Sequence, residues 1–394
     1  MDPIIIPGIL LALLFNFANG LNDAANSIAT IIATKALTPL QAVLLAGVFN
    51  LLGPLLFTTA IAATIGRGIV DPSFLTPTLI LMAMVGAVLW VLATSFLGIP
   101  VSSSHALIGG LLGAGIAAAG TGAVLWPSLA LIGQTVIYGL AGAILGAIVT
   151  GVFAHRRGEF RPWNLILGGL IGVTVAIPLA IATGFLKIGG ILAVLIFIVV
   201  SPMLGLISAF ALGTLVACIF RDHPPRRLSR LFKNLQIFSG SFQAIGHGSN
   251  DAQNAMGIIT AMLLAGGLIS EFSVPLWVIL ASSLAISLGT LLGGWRVIDK
   301  MANRITRIRP YQGFAASTAA GSVLSLMTAF GVPVSTTHAT TGAIMGVGAT
   351  RGYSAVKWGV VREILIAWVL TIPAAAVVAG GCYLIARALA GGGF

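Results

Sequence analysis

Apolar runs of about 20 residues recur from one end of this 394-residue chain to the other, and almost nothing charged interrupts them. A helix needs about 20 apolar residues to cross a hydrocarbon core of about 30 Å. Inside that core every backbone N–H and C=O must find a partner within the protein, which leaves only helices and closed barrels. A spanning barrel alternates apolar and polar residues with period two, and the runs here do not. Charged residues make up 7% of the chain, against about 25% in a soluble domain. The expected fold class is therefore all-α, a polytopic membrane protein.

The runs cover residues 4–34, 41–65, 78–97, 101–119, 125–153, 163–185, 188–220, 236–264, 274–295, 311–330, 334–348 and 358–389, which predicts about 12 crossings. The net charge of +11 comes from short basic segments between runs. These are Arg156, Arg157 and Arg161; Arg221, Arg226, Arg227, Arg230 and Lys233; and Arg296, Lys300, Arg304, Arg307 and Arg309. Such placement orients a membrane protein and does not indicate nucleic acid. With the basic segments inside, a multi-pass protein of the cell (inner) membrane is expected, with both termini outside. Met1-Asp2-Pro3 carries no positive region or cleavage site, so the first run is read as a span and not a removed signal. Cys218 and Cys382 lie far apart in apolar runs and predict neither a disulfide nor a metal site. The 50 glycines suit close helix packing.

Two polar stretches break the apolar pattern. Gly20-Leu21-Asn22-Asp23-Ala24-Ala25-Asn26 lies in the first run, and Gly248-Ser249-Asn250-Asp251-Ala252-Gln253-Asn254 repeats its pattern in the second half. A second pair follows in each half: Pro100-Val101-Ser102-Ser103-Ser104-His105 and Pro333-Val334-Ser335-Thr336-Thr337-His338. The duplicated unit spans residues 1–155 and 236–394, joined by two spans and a basic segment at 156–235. An odd number of predicted crossings separates Asp23 from Asp251, so the units should be inverted in the membrane. Inverted repeats with polar motifs near the midplane characterise secondary transporters.

Helical spacing puts Asn16, Asn19, Asp23, Asn26 and Thr30 on one face, and Gln243, His247, Asp251 and Asn254 on another. A lone intramembrane Asn commonly serves as interhelical glue. Two matched carboxylate-bearing stripes point instead to a site. In the second motif, Pro breaks or starts a helix, so the hydroxyls fall in a first turn with free N–H groups, which makes an anion cradle on a short or re-entrant helix. Among nine acids only Asp23 and Asp251 lie deep in runs, and no Lys or Arg lies deep in the motif-bearing segments. An anion entering there adds to two negative charges, so cations must enter with it. Carboxylates, amide oxygens and hydroxyls are hard ligands suited to sodium. His105 and His338 read either as neutral hydrogen-bonding partners or as proton carriers.

These four motifs, in this order over the whole chain, resemble the PiT family of inorganic phosphate transporters. Its signature is a repeated G-A-N-D-V-A-N-A-type motif, matched at Gly20–Ser27 and Gly248–Ala255, with a P-[IV]-S-[ST]-[ST]-H-type motif matched at Pro100–His105 and Pro333–His338. The resemblance implies a symporter, not an enzyme, that takes up inorganic phosphate with sodium, or with protons in some bacterial members. It implies no cofactor beyond co-transported sodium ions. Carried over by position, it implies sodium ligands at Asp23, Asn26, Asp251 and Asn254, with the hydroxyls of Ser102 and Ser335. It implies phosphate ligands at Ser103, Ser104, Thr336 and Thr337, aided by Asn22 and Asn250. The chain departs from the family at Asn50 and Ser317, where many members carry Glu, which tilts the expectation from protons toward sodium. The motif-free spans would link the halves, as a scaffold or a homodimer contact. A sulfate permease, a passive anion channel and an intramembrane aspartyl protease are the rival readings.

Overall fold

The structure, a computed structural model, describes residues 3–389. The expected positions of the two termini, and the last residues of the unit 236–394, lie outside the described residues. Fourteen α-helices account for the described fold: α1 (Ile5–Ala33), α2 (Pro39–Leu56), α3 (Ala60–Arg67), α4 (Pro77–Leu97), α5 (Ser103–Ala119), α6 (Leu129–Arg156), α7 (Pro162–Ala182), α8 (Gly190–Ile219), α9 (Pro225–Ala265), α10 (Leu276–Leu292), α11 (Trp295–Asp299), α12 (Pro310–Ala329), α13 (Thr336–Ala349) and α14 (Trp358–Leu389). The all-α class holds. An isolated bridge between Val70 and Val124 is the one β-type pairing among the described residues.

Seven of these helices, α1, α2, α4, α6, α7, α8 and α14, are long and apolar enough to cross a membrane. The bent pair α10 and α11, whose axes differ by 66°, raises the number to eight. Length and composition thus do not reach the expected 12. The shortfall has physical causes. α5 has 17 residues and α13 has 14, about 25 and 21 Å at 1.5 Å per residue. α9 and α12 are long, but the buried Gln236, Gln243, His247, Asp251, Gln312 and Ser317 lower their hydropathy.

The sequence reading is corrected in three places. The run 41–65 is two helices, broken between α2 and α3. Pro54 inside α2 cannot donate to the Asn50 carbonyl, and that carbonyl faces Gly248 of α9. Four bases expected in a loop, Arg226, Arg227, Arg230 and Lys233, form the start of α9, which continues unbroken for 41 residues into the second polar stripe. Arg296, Lys300 and Arg304 likewise lie on α11 and the π-turn after it.

The packing explains how two polar stripes meet. α1 lies against α9 and α10, and α9 lies against α2 and α12. α4 and α5 pack on α14, whereas α12 and α13 pack on α8. α6 and α7 pair mainly with each other. The motif glycines permit the closest approaches. A Cβ on Gly20 would overlap the Ile286 carbonyl of α10, and one on Gly248 would overlap the Asn50 backbone of α2. Backbone obstructions of this kind cannot turn aside as a side chain can. Gly20→Ala and Gly248→Ala should therefore each destabilise the protein by about 1–3 kcal/mol. Gly122→Ala, which meets nothing within 4 Å, should leave the melting temperature in detergent unchanged. Equal melting of all three variants would refute this account of the glycines.

Candidate anion and cation site

The second motif builds the same local structure twice. Gly98 ends α4 at φ 68°, and Gly331 follows α12 at φ 67°, a left-handed turn that glycine adopts without strain. The Gly98 N–H donates to Ser95 O and that of Ile99 to Thr94 O; the Gly331 N–H donates to Thr328 O and that of Val332 to Met327 O. The chain then runs extended to Ser102 and Ser335, each the cap of the next helix. Ser102 Oγ accepts the His105 amide at 3.3 Å, and Ser335 Oγ accepts the His338 amide at 3.2 Å. The amides of Ser103, Ser104, Thr336 and Thr337 precede the first intrahelical bonds, so they remain available as donors.

These two helix starts face the stripes of α1 and α9. Asn16, Asn19, Asp23, Asn26, Thr30, Gln243, His247, Asp251 and Asn254 are all at most 1% exposed. Ser103 Oγ donates to Asn19 Oδ1 at 2.7 Å and lies 3.3 Å from Asp23 Oδ2. Thr337 Oγ1 donates to Asp23 Oδ1 at 3.0 Å, and Thr336 Oγ1 to Asp251 Oδ2 at 3.1 Å. Asn26 Nδ2 donates to both Thr336 and Thr337, at 3.1 and 3.0 Å. Asn254 Nδ2 donates to Ser104 Oγ at 2.9 Å. The exchange is reciprocal: the first-half Asn26 serves the second-half hydroxyls, and the second-half Asn254 serves a first-half hydroxyl. All twelve residues expected in the site are buried in this one region.

Electrostatics set its chemistry. Ligand atoms of Asp23, His247 and Asp251 lie within 4.8 Å of one another. Two ionised carboxylates that close repel by roughly 3–4 kcal/mol at an effective dielectric of ~20. Among the described residues no Lys or Arg is buried to offset them. His247 Nε2 lies 3.3 Å from Asp251 Oδ2 without hydrogen-bond geometry, and its Nδ1 meets Asn50 Oδ1 at 3.0 Å. Other buried polar atoms of the two stripes lack a partner, the Asn19 NH2 among them. Asn16 Oδ1, Asn22 Oδ1, Asn26 Oδ1, Gln243 Oε1 and Asn250 Oδ1 are buried acceptors with no donor. Buried acceptors in that position suit a hard cation.

Asn22 and Asn250 were expected to help hold an anion. Asn250 has both amide N–H groups engaged, and Asn22 has one of its two. Asn22 Nδ2 donates to Ser95 Oγ at 2.8 Å, and Asn250 Nδ2 to Asp251 Oδ1 at 2.7 Å and Val334 O at 2.8 Å. Each has a free oxygen, and Asn22 keeps one N–H as well. Several supporting residues escaped the sequence reading. Ser95 fixes Asn22; Thr290 accepts from Asn50 Nδ2 at 2.9 Å; Thr340 accepts from Gln243 Nε2 at 2.9 Å. None belongs to a repeated motif, although Thr340 lies one turn past Thr336 on α13 and Thr290 one turn past Ser287 on α10. The histidines of the second motif meet each other: His105 and His338 pack edge to face with centroids 4.9 Å apart, and His338 stacks on Trp368 at 3.7 Å.

The same residues carry the family comparison. The profile of the phosphate transporter family matches residues 19–163 and 219–379, which include all four motifs. The chain belongs to the phosphate transporter family. It is 40% identical over 389 residues to a probable low-affinity inorganic phosphate transporter of Rhizobium meliloti (strain 1021), covering 98% of each chain. It is 35% identical over 391 residues to a protein of the same description from Bacillus subtilis (strain 168), again covering 98% of each. Its fold matches a solved structure described as the sodium-dependent phosphate transporter, with a TM-score of 0.70, 26% identity, and 98% and 99% of the two chains covered. The relatives and the fold are those of transporters and not of enzymes, and the protein is a multi-pass membrane protein.

The transporter thus crowds two carboxylates that nothing cationic offsets. Asp23→Asn keeps one oxygen as the acceptor for Thr337, sets an amide NH2 against Ser103 Oγ in place of the other, and removes one charge. In a buffer whose sole cation is too bulky to enter, this variant should melt higher than the wild type, by a few degrees for the roughly 3–4 kcal/mol of repulsion relieved. A lower melting temperature would contradict the repulsion.

Proposed function

We propose that the protein takes up inorganic phosphate by symport with sodium, through alternating access. The observation that carries this is the pairing of Asp23 and Asp251 amid donor-less amide oxygens, with no buried base. A doubly negative site can accept an anion only after cations have made it neutral or positive. Sodium fits the oxygen set, and the related structure is described as sodium-dependent. Asp23, Asn26, Asp251 and Asn254 hold sodium. Ser102 and Ser335 cap the two short helices, and each keeps a lone pair for the same ions. The anion rests on Ser103, Ser104, Thr336 and Thr337, whose amides and hydroxyls donate. Asn22, with one N–H left, aids the anion as expected, and Asn250, with both N–H groups engaged, offers its oxygen to the cations.

In this reading, residues 1–155 and 236–394 form the inverted units, linked by 156–235. Matched turns at Gly98 and Gly331, and matched caps at Ser102 and Ser335, support it. Both units contribute to each half of the site, so moving one against the other would open it to alternate sides. The inner membrane is the assigned location, with both termini outside. The motif-free helices α7 and α8 serve as the scaffold and homodimer contact. Proton coupling is the second reading, favoured by His247 beside Asp251.

Uptake into proteoliposomes, with sodium and pH gradients imposed separately, distinguishes the two. Sodium should stimulate phosphate uptake at least tenfold at clamped pH; stimulation by the proton gradient alone would replace sodium with protons. Asp23→Asn and Asp251→Asn should each reduce sodium-driven uptake to background while eluting as folded protein. Full uptake by either variant would remove the ligand assignment. Loss of phosphate uptake in excess sulfate would make sulfate a competing cargo.

A further inference from the structure

A second cavity lies far from the transport site, where α8 ends and α9 and α12 begin. It measures about 330 Å³ and is floored by Val216, Ala217, Phe220, Leu228 and Phe232. Its rim carries Arg221, His223, Arg309 and Tyr311. Phe220 and Phe232 meet edge to face at 5.3 Å and give the floor a rigid aromatic wall. A neighbouring recess of about 400 Å³ is lined by Arg226, Arg227 and Arg230.

The charge here is unbalanced. Arg221 pairs with Asp222 at 3.2 Å, and among the described residues Arg226, Arg227, Arg230 and Arg309 have no acid within ion-pair distance. Two helices also start in the cavity wall, α9 at Pro225 and α12 at Pro310. α9 opens on Pro224 and Pro225, which carry no N–H, and α12 opens on Pro310, so the helix starts add the positive ends of their dipoles and the donors come from the side chains. A basic segment serving only to orient the chain needs no cavity and no apolar floor. This one has both, and the floor continues the surface of α8, a membrane-crossing helix.

We propose that this cavity binds an anionic phospholipid. The phosphate headgroup sits between Arg221 and Arg309, where guanidinium groups can bond it in pairs. An acyl chain lies over Phe220, Val216 and Ala217. Inorganic phosphate shares the headgroup chemistry but would make no use of the apolar floor. The lipid would rest on the first turn of α9, the helix that carries Asp251 about 39 Å further along at 1.5 Å per residue.

Native mass spectrometry of the full-length protein tests the assignment without reference to transport. Phosphatidylglycerol and phosphatidylcholine with identical chains are added in equal amounts. The wild type should retain phosphatidylglycerol at least about fivefold over phosphatidylcholine. Arg221→Gln with Arg309→Gln should abolish the preference. Lys357→Gln with Arg362→Gln makes the same charge change at the start of α14 and should preserve it. No preference in the wild type would overturn the proposal, and so would an undiminished preference in the Arg221/Arg309 variant. Displacement of the retained lipid by millimolar inorganic phosphate would identify a soluble-anion site and overturn the lipid assignment.

Discussion

Asp23 and Asp251 come from opposite halves of the chain and place their carboxylates within a few ångströms of each other inside an apolar bundle. Taking a single carboxylate out of water costs several kcal/mol even after the protein relaxes, and crowding two adds their repulsion. Every feature of the site answers that cost in part. Thr336 and Thr337 each turn a hydroxyl to a carboxylate, Ser103 flanks Asp23, and Asn250 donates to Asp251. None of these donors carries a charge. The balance must come from outside the chain, and that requirement ties the binding of an anion to the binding of cations. An arginine clamp would have held the anion directly and removed the need for coupling.

Close packing of backbones makes this arrangement attainable. The two stripes sit on α1 and α9, and Gly20 and Gly248 bring those helices against the main chains of α10 and α2. Pro54 loosens α2 where its Asn50 carbonyl meets α9, and the Asn50 side chain turns to His247. The hydroxyl-bearing helices are short because each begins after a left-handed turn and an extended Pro segment well inside the bundle. Their starts therefore face the carboxylates and not the membrane surface.

Much of the site was legible in the sequence because its polar residues stand out against apolar runs. The N-D-x-x-N stripes needed only helical spacing, and the Pro-Ser/Thr motifs needed only the rule that Pro opens a first turn. The atoms each residue turns to the site were not legible. Asn22 and Asn250 differ from Asn26 only in which neighbours occupy their N–H groups, and Ser95 and Val334, which decide this, lie far away in sequence. Length and composition reach fewer than 12 crossings for a related reason. The residues that form the site lower the hydropathy of α9 although 236–264 reads as a run, and the run 41–65, which reads as one span, is two helices. Basic residues read as a loop before α9 proved helical, since charge alone does not show where a helix begins.

The coupling of anion to cation is the claim on which the account depends, and equilibrium binding reports it without the complications of transport. Phosphate affinity should be measured on the purified protein across a sodium series at constant pH and ionic strength, with choline as the replacement cation. The account predicts that phosphate binding strengthens steeply with sodium, and that sodium binding strengthens with phosphate by the same factor, as linkage requires. Phosphate binding of equal strength in choline and in sodium would contradict it.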